Sequence, residues 1–209
     1  MIARMAGLYA VTPDLEDTDA LCLKVAAALA GGATVVQYRN KTASPGLKRA
    51  QALRLRAVCR RYGVPLVVND DAALAVDIGA EGLHVGREDG PVREVRARIG
   101  PDMALGVSCY DSLALADEAI TAGADHIAFG AAFPSRVKPN AVHASLELYA
   151  EARRRFRAPI VAIGGITLDN APRLLAAGVD AIAIISALFD APDVEQAAAS
   201  FTALFSQTV

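Results

Sequence analysis

The chain has 209 residues, of which 54% are hydrophobic, 21% charged and only 5% aromatic, and it contains no tryptophan. That composition excludes a disordered tail or a coiled coil and supplies enough apolar surface for a full core without staples. Twenty-one basic against 23 acidic residues leave a net charge of −2, so no global asymmetry points to nucleic acid or a membrane surface, and no apolar run reaches the ~18 residues a span requires.

The first apolar run, Leu8 to Val11, stops at Thr12-Pro13 and reads as a strand rather than a signal peptide. A motif then recurs: a glycine ends a helix and a short apolar strand follows, at Gly32 to Val36, Gly79 to Leu83, Gly123 to Ile127 and Gly178 to Ile182. Between these lie further apolar runs at Pro65 to Val68, Met103 to Val107 and Pro159 to Ile163. The intervening stretches read as helices. Over Leu47 to Tyr62, the residues Leu47, Ala50, Leu53, Ala57 and Val58 predict the apolar stripe and Gly63 the stop. About eight strands alternating with helices imply parallel strands joined by right-handed crossovers, in either an open doubly wound sheet or a closed barrel. Polar residues or glycines follow nearly every strand: Gln37/Arg39/Lys41, Asn69/Asp70, Gly86/Asp89, Ser108, Ser135/Lys138, Gly164/Gly165 and Ser186. A barrel gathers all those strand ends at one rim, whereas an open sheet uses only a few at its switch point. The expected architecture is therefore one (β/α)8 barrel domain over residues 1–209, with a parallel eight-stranded sheet, although the chain is short for that fold. Three cysteines (Cys22, Cys59 and Cys109) without paired spacing fit a reducing cytoplasm and no disulfide or structural zinc site.

Gln37, Arg39 and Lys41 are spaced by two, which on a strand turns all three to one face with Val35 deeper, and Val36 and Tyr38 to the other. The opposing reading ends the strand near Gln37 and sends the charges into solvent. Asp70 and Asp89 follow adjacent strands and suit a Mg²⁺ that also takes water and phosphate oxygens. The opposing reading makes both of them helix caps, but Asp71 is an equally good cap and leaves Asp70 unneeded for that role. Gly164-Gly165 and Ile185-Ser186 follow strands seven and eight, where many barrels cradle a phosphate. The irregular segment from Phe129 to Pro139 adds the Ser135 hydroxyl and the cations Arg136 and Lys138. No Ser-His-Asp set or covalent nucleophile is evident. His126 and His143 read as structural or exposed, His84 as a weaker candidate for a substrate contact, and Cys109 as a core thiol. The arginine runs 49–61 and 153–155 read as solvated helix faces. Such a site suits departure of a diphosphate whose developing charge meets cations and a metal.

Taken together, the residues resemble the thiamine-phosphate synthase family along essentially the whole chain. The carriers are Leu8-Tyr9-Ala10-Val11-Thr12, Val36-Gln37-Tyr38-Arg39-Asn40-Lys41, Val67-Val68-Asn69-Asp70-Asp71, Gly82 to Asp89, Gly106-Val107-Ser108, Phe133-Pro134-Ser135 with Lys138-Pro139, Ala162 to Ile166, and Ile185-Ser186-Ala187. The resemblance implies a (β/α)8 transferase joining hydroxymethylpyrimidine diphosphate to hydroxyethylthiazole phosphate, with release of pyrophosphate through a dissociative, Mg²⁺-dependent reaction. It implies that Gln37, Arg39, Lys41, Asn69, Ser108 and Lys138 hold the pyrimidine diphosphate, with Arg39, Lys41, Ser108 and Lys138 as the catalytic set. Asp70 and Asp89 would bind Mg²⁺, and Ser135, Val137, Gly165, Ile185 and Ser186 the thiazole phosphate. This sequence departs from the family pattern at Val137, which lacks the usual hydroxyl, at Ala131, where a proline is common, and at Arg87, which replaces a glutamine. The implied partners are small-molecule substrates in the cytoplasm, with neither nucleic acid nor membrane, and homo-oligomerisation left open. The alternative is a thiazole tautomerase-like barrel, which needs a histidine near the position of Ala131 and releases no pyrophosphate.

Overall fold

In the computed structural model, which describes residues 5–134 and 142–206, eight parallel strands close into a barrel in sequence order. They are β1 (Gly7–Val11), β2 (Val35–Tyr38), β3 (Leu66–Asn69), β4 (Gly82–Val85), β5 (Ala104–Tyr110), β6 (His126–Phe129), β7 (Ile160–Ile163) and β8 (Ala181–Ile184). The helices are α1 (Thr18–Ala30), α2 (Pro45–Tyr62), α3 (Ala72–Ile78), α4 (Val92–Ile99), α5 (Leu113–Thr121), α6 (Leu146–Arg155), α7 (Ala171–Ala176), α8 (Ser186–Phe189) and α9 (Val194–Ser206). Closure comes from β1 pairing with both β2 and β8, with Tyr9 beside Val35 on one side and beside Ala183 on the other.

Side-chain alternation divides the core in two. Tyr9, Val11, Val35, Val67, Ala128, Val161, Ala181 and Ala183 point inward and fill the barrel. Leu8, Ala10, Val36, Tyr38, Val68 and Leu83 point outward against the helices. This is the period-two pattern of a strand buried on both faces, which is why each strand reads as a continuous apolar run. All four glycines of the repeating motif, Gly32, Gly79, Gly123 and Gly178, have positive φ. At Gly79 (φ 64) the left-handed turn is the C-cap of α3, and its amide bonds back to Ala75 and Val76.

Helix α2 begins at Pro45 after the Ser44 cap and ends at the left-handed Gly63, close to expectation, but its buried face is not the predicted one. Gln51, Ala52, Leu55 and Cys59 are buried, whereas Leu53 is 38% exposed and Ala50 and Ala57 face solvent. The reason is Gln51, fully buried yet satisfied. Its carbonyl accepts from the Tyr38 hydroxyl (2.9 Å) and from Asn40 (3.1 Å), and its amide donates to the Leu15 carbonyl (2.8 Å). A polar group with its partners supplied can occupy the inner face that apolar counting assigns elsewhere. The arginine runs form ion pairs with neighbouring elements: Arg49 with Asp77, Arg54 with Asp19, Arg56 with Glu81, Arg153 with Asp180 and Arg155 with Asp117. Among the described residues no helix is long and apolar enough to cross a membrane.

Inside the barrel, His84 on β4, Gly106 on β5 and His126 on β6 share one register level. A Cβ at Gly106 would lie 2.1 Å from His126 Nε2 and 2.5 Å from His84 Nδ1. The two imidazoles occupy the space that a side chain at 106 would need. Gly106→Ala is therefore expected to destabilise the protein by about 1–3 kcal/mol through overpacking, measurable as a lower urea midpoint at unchanged slope. An unchanged midpoint would show that the rings move aside freely.

Candidate active site

The strand ends on the β2–β4 side of the barrel mouth carry the charges. Strand β2 ends at Tyr38, so Arg39 and Lys41 lie in the loop that follows, as the opposing reading held. Gln37 points inward as expected, with its amide donating to the buried Tyr9 hydroxyl (2.9 Å). The two cations are nevertheless held rather than released. Thr12, fully buried, donates through its hydroxyl to the Arg39 carbonyl and accepts from the Arg39 amide, both at 2.9 Å. Asp14 Oδ1 accepts from Arg39 Nη1 (3.2 Å) and from the Lys41 amide (2.9 Å). Asn40 Oδ1 accepts the amides of Thr42 and Ala43, which tightens the turn. Asp14 was not singled out from the sequence. Its one available signal is its place just after β1, beside a strand whose exit carries two cations.

Across from these cations stand two carboxylates. Asp70 follows β3 in a left-handed conformation (φ 64), which aspartate tolerates better than most residues. Its amide donates to the His84 carbonyl (2.8 Å), and its carboxylate lies 3.4 Å from Lys41 Nζ. Asp71 caps α3 by accepting from the Leu74 amide, leaving Asp70 without that role. Asp89 does not cap α4, whose N-cap is Pro91. It ends the short 3₁₀ turn Arg87–Asp89 and accepts the Gly86 amide at 2.7 Å. Partial burial, and then the neighbouring Asp70 carboxylate, push the Asp89 carboxyl above its ordinary value, although the Gly86 amide and Lys41 pull the other way. Two neighbouring carboxylates form a donor set a divalent cation can fill, because the cation offsets their mutual repulsion. Two protein carboxylates also match the habit of Mg²⁺, which completes its shell with water and phosphate oxygens. Tyr110, itself at φ 55, braces this turn: its hydroxyl accepts the Arg87 amide (3.3 Å), and the Arg87 guanidinium stacks on its ring.

A polar layer lies deeper in the barrel. His84 Nε2 is 2.9 Å from Ser108 Oγ, and the His84 and His126 ring centroids are 5.8 Å apart. Burial pushes His84 down to about 4, against the pull of Asp70, while burial and then His84 push His126 down to about 3. Both rings are neutral at neutral pH. An unfolded chain gains a proton on each histidine below about pH 6.5, whereas the folded chain takes one on His126 only near pH 3. Stability is thus complete above the unfolded value and is lost as pH falls through this window. His126→Gln is expected to spare about 3 kcal/mol of the loss between pH 7 and pH 4, as read from urea melts at both pH values; identical acid sensitivity would refute it. Cys109 is a buried thiol whose proton is held by burial, pushed up to about 12, consistent with a core role.

On the opposite side, Gly164 (φ 99) and Gly165 (φ 65) follow β7. A Cβ at Gly165 would stand 2.4 Å from the Phe133 carbonyl oxygen, so the chain after β6 lies directly on this turn. The Ala132 and Phe133 amides donate to the carbonyls of Ile163 and Gly164 (2.9 and 3.0 Å), and Asn170 donates to the Gly165 carbonyl. Ile185 and Ser186 sit at the start of the short helix α8, where the Ile185 carbonyl accepts from the Leu188 and Phe189 amides (3.1 and 2.9 Å). Ser135, Val137 and Lys138 lie outside the described residues. A cavity of about 560 Å³ brings together Lys41, Asn69, Asp70 and Asp89, and extends outward to Lys48 and Arg98. Arg39, Gln37, Ser108, Gly165, Ile185 and Ser186 share the same end of the barrel but do not line that cavity.

The profile of the family described as thiamine monophosphate synthase matches residues 8–188. The chain is 52% identical to the thiamine-phosphate synthase of Thiobacillus denitrificans over 200 residues, which cover 96% of this chain and 95% of that protein. Against the thiamine-phosphate synthase of Methylobacillus flagellatus the identity is 50%, with the same coverage. The fold superposes on thiamine phosphate pyrophosphorylase from Pyrococcus furiosus with a TM-score of 0.89 at 34% identity, covering 98% of this chain and 97% of that one. Half of all positions agree along nearly the full length, on a barrel closed in the same way, and the chain therefore belongs to the thiamine monophosphate synthase family of transferases.

Proposed function

We propose that this protein joins hydroxymethylpyrimidine diphosphate to hydroxyethylthiazole phosphate, giving thiamine phosphate and pyrophosphate. One observation carries the reading: Lys41 meets Asp70 in a cavity that Asp89 also lines, Asp14 holds Arg39 two residues before Lys41, and these three consecutive strand exits share one barrel end with the glycine turn. Cations beside a carboxylate pair suit a diphosphate, whereas a glycine turn beside the start of a helix suits a monophosphate. Mg²⁺, held by Asp70 and Asp89, would supply charge neutralisation to the leaving diphosphate.

This chain's residues do the remainder. Arg39, oriented by Asp14 and Thr12, meets charge that grows on the diphosphate as the pyrimidine methylene carbon separates from oxygen. Lys41 shares its charge between Asp70 and the same anion. Gln37 and Ser108, seated deeper on β2 and β5, present an amide and a hydroxyl to the pyrimidine end, and the apolar barrel floor of Val35, Val67 and Ala128 keeps water from the carbocation. After the C–O bond has broken and its electron pair has left with the pyrophosphate, the thiazole nitrogen donates its lone pair to the carbocation to form the C–N bond, so no protein nucleophile is required.

The test is pyrophosphate release with both substrates and Mg²⁺ present, omitting each in turn. Release that requires all three supports the reading. Release without the thiazole phosphate indicates hydrolysis, and no release with isomerisation of the thiazole indicates the tautomerase chemistry; either result overturns it.

A further inference from the structure

The layer beneath the mouth contains two buried polar atoms, His84 Nδ1 and His126 Nε2, that have no hydrogen-bond partner among the described residues. They are not scattered. His84 and His126 lie in register on either side of Gly106, and both nitrogens lean over the bare Cα of that glycine. Since they lie 2.5 and 2.1 Å from the point a Cβ would occupy, they are at most 4.6 Å apart, the sum of those distances. The residues are 9% and 1% exposed. At the other edge of the His84 ring, Nε2 is 2.9 Å from Ser108 Oγ, two residues further along β5 and nearer the mouth.

A neutral imidazole has one N–H and one bare nitrogen, so the two facing nitrogens satisfy each other only when one donates and the other accepts. Ser108 decides the direction. Its hydroxyl carries a single hydrogen, and presenting that hydrogen to an anionic or polar substrate atom requires its oxygen to accept from His84 Nε2–H. His84 Nδ1 is then bare, and His126 Nε2 must carry the hydrogen that meets it, directly or through one water.

We propose that His126 is a positioning residue: a hydrogen-bond chain runs from His126 Nε2–H to His84 Nδ1 and from His84 Nε2–H to Ser108 Oγ, aiming the Ser108 hydroxyl into the barrel mouth. The chain deepens the function proposed above and rests on it for the identity of the atom Ser108 meets. Its existence rests on the rings alone. The fold supports the chain by withholding a side chain at Gly106, which leaves the space between the two nitrogens free for a direct contact or one water.

Two measurements test it. Long-range ¹H–¹⁵N correlation spectra of the wild-type protein labelled at histidine should show His84 and His126 as neutral rings with the proton on Nε2; a His84 proton on Nδ1 would overturn the proposal. In the second, His126→Phe fills the space without a donor and should lower kcat for pyrophosphate release about five- to tenfold, the worth of one neutral hydrogen bond. KM for both substrates should stay within about twofold of wild type, and the His84 spectrum should become a mixture of tautomers. His126→Gln, which keeps a donor, should restore most of kcat and the single tautomer. Undiminished kcat in His126→Phe would mean His126 acts only by filling space, and equal loss in the two variants would mean that a donor there is not what matters; either result would also overturn the proposal. An Nε2–H signature on both rings in a protein that releases no pyrophosphate would sink the assigned reaction and leave the chain standing.

Discussion

Asp70→Asn is expected to lower pyrophosphate release by about two to three orders of magnitude while leaving the melting temperature close to that of the wild type. Asparagine is isosteric and also tolerates the left-handed backbone at this position (φ 64), so the substitution removes a charge with little added strain. Lys41, 3.4 Å away, would lose its partner, but both side chains are partly exposed and such a pair contributes at most about 1 kcal/mol. The charge matters more to the reaction than to the fold. Titrating Mg²⁺ in the variant should require far higher concentrations to reach half-maximal rate, because Asp89 would remain as a single carboxylate. The neighbouring residue provides the contrast. Asp71 caps α3 by accepting the Leu74 amide, a task asparagine performs equally well, so Asp71→Asn should retain near-wild-type turnover. Normal activity in Asp70→Asn, or matching losses in the two variants, would remove Asp70 from the site.

Arg39→Ala is the second large effect, an expected loss of about 10²–10³-fold in kcat/KM, or roughly 3–4 kcal/mol of transition-state stabilisation. The side chain is 23% exposed and paired with Asp14, so its removal should cost little stability. Arg39→Lys would keep the charge but lose the planar fork that grips two phosphate oxygens at once, and an intermediate rate is expected. The same geometry assigns a part to Asp14, which holds both the Arg39 guanidinium and the Lys41 amide. Steady-state kinetics alongside thermal melts separates the two contributions: a rate loss that tracks the melting temperature would make Arg39 a structural residue.

Much of the site was legible because barrels convert strand order into position. Once eight apolar runs alternate with helices, the residue after each run must reach the same rim, so Arg39, Asn69, Asp89, Ser108, Gly165 and Ser186 could be grouped without knowing a single contact. Asp70 could be separated from Asp71 because a helix start needs only one cap. Asp89 was harder: both of its readings were local, and the opposing one failed because the carboxylate folds back to the Gly86 amide instead of reaching α4. Of the two readings of Arg39 and Lys41, the one that extends the strand through them fails because β2 ends at Tyr38, and the loop that holds them depends on Thr12 and Asp14, more than twenty residues earlier in the chain.

The sequence by itself determined the elements and their succession: period-two burial, glycine stops and apolar runs are properties of neighbouring residues, and they survive whatever the chain later packs against. Only the tertiary structure decided which face of α2 turns inward, because Gln51 is tolerated there solely through partners supplied by Tyr38, Asn40 and Leu15. Only the closed barrel, likewise, brought His84 and His126 together over Gly106. Forty-two residues separate the two histidines, and what unites them is strand register, which places three β-strands side by side and leaves the middle one without a side chain.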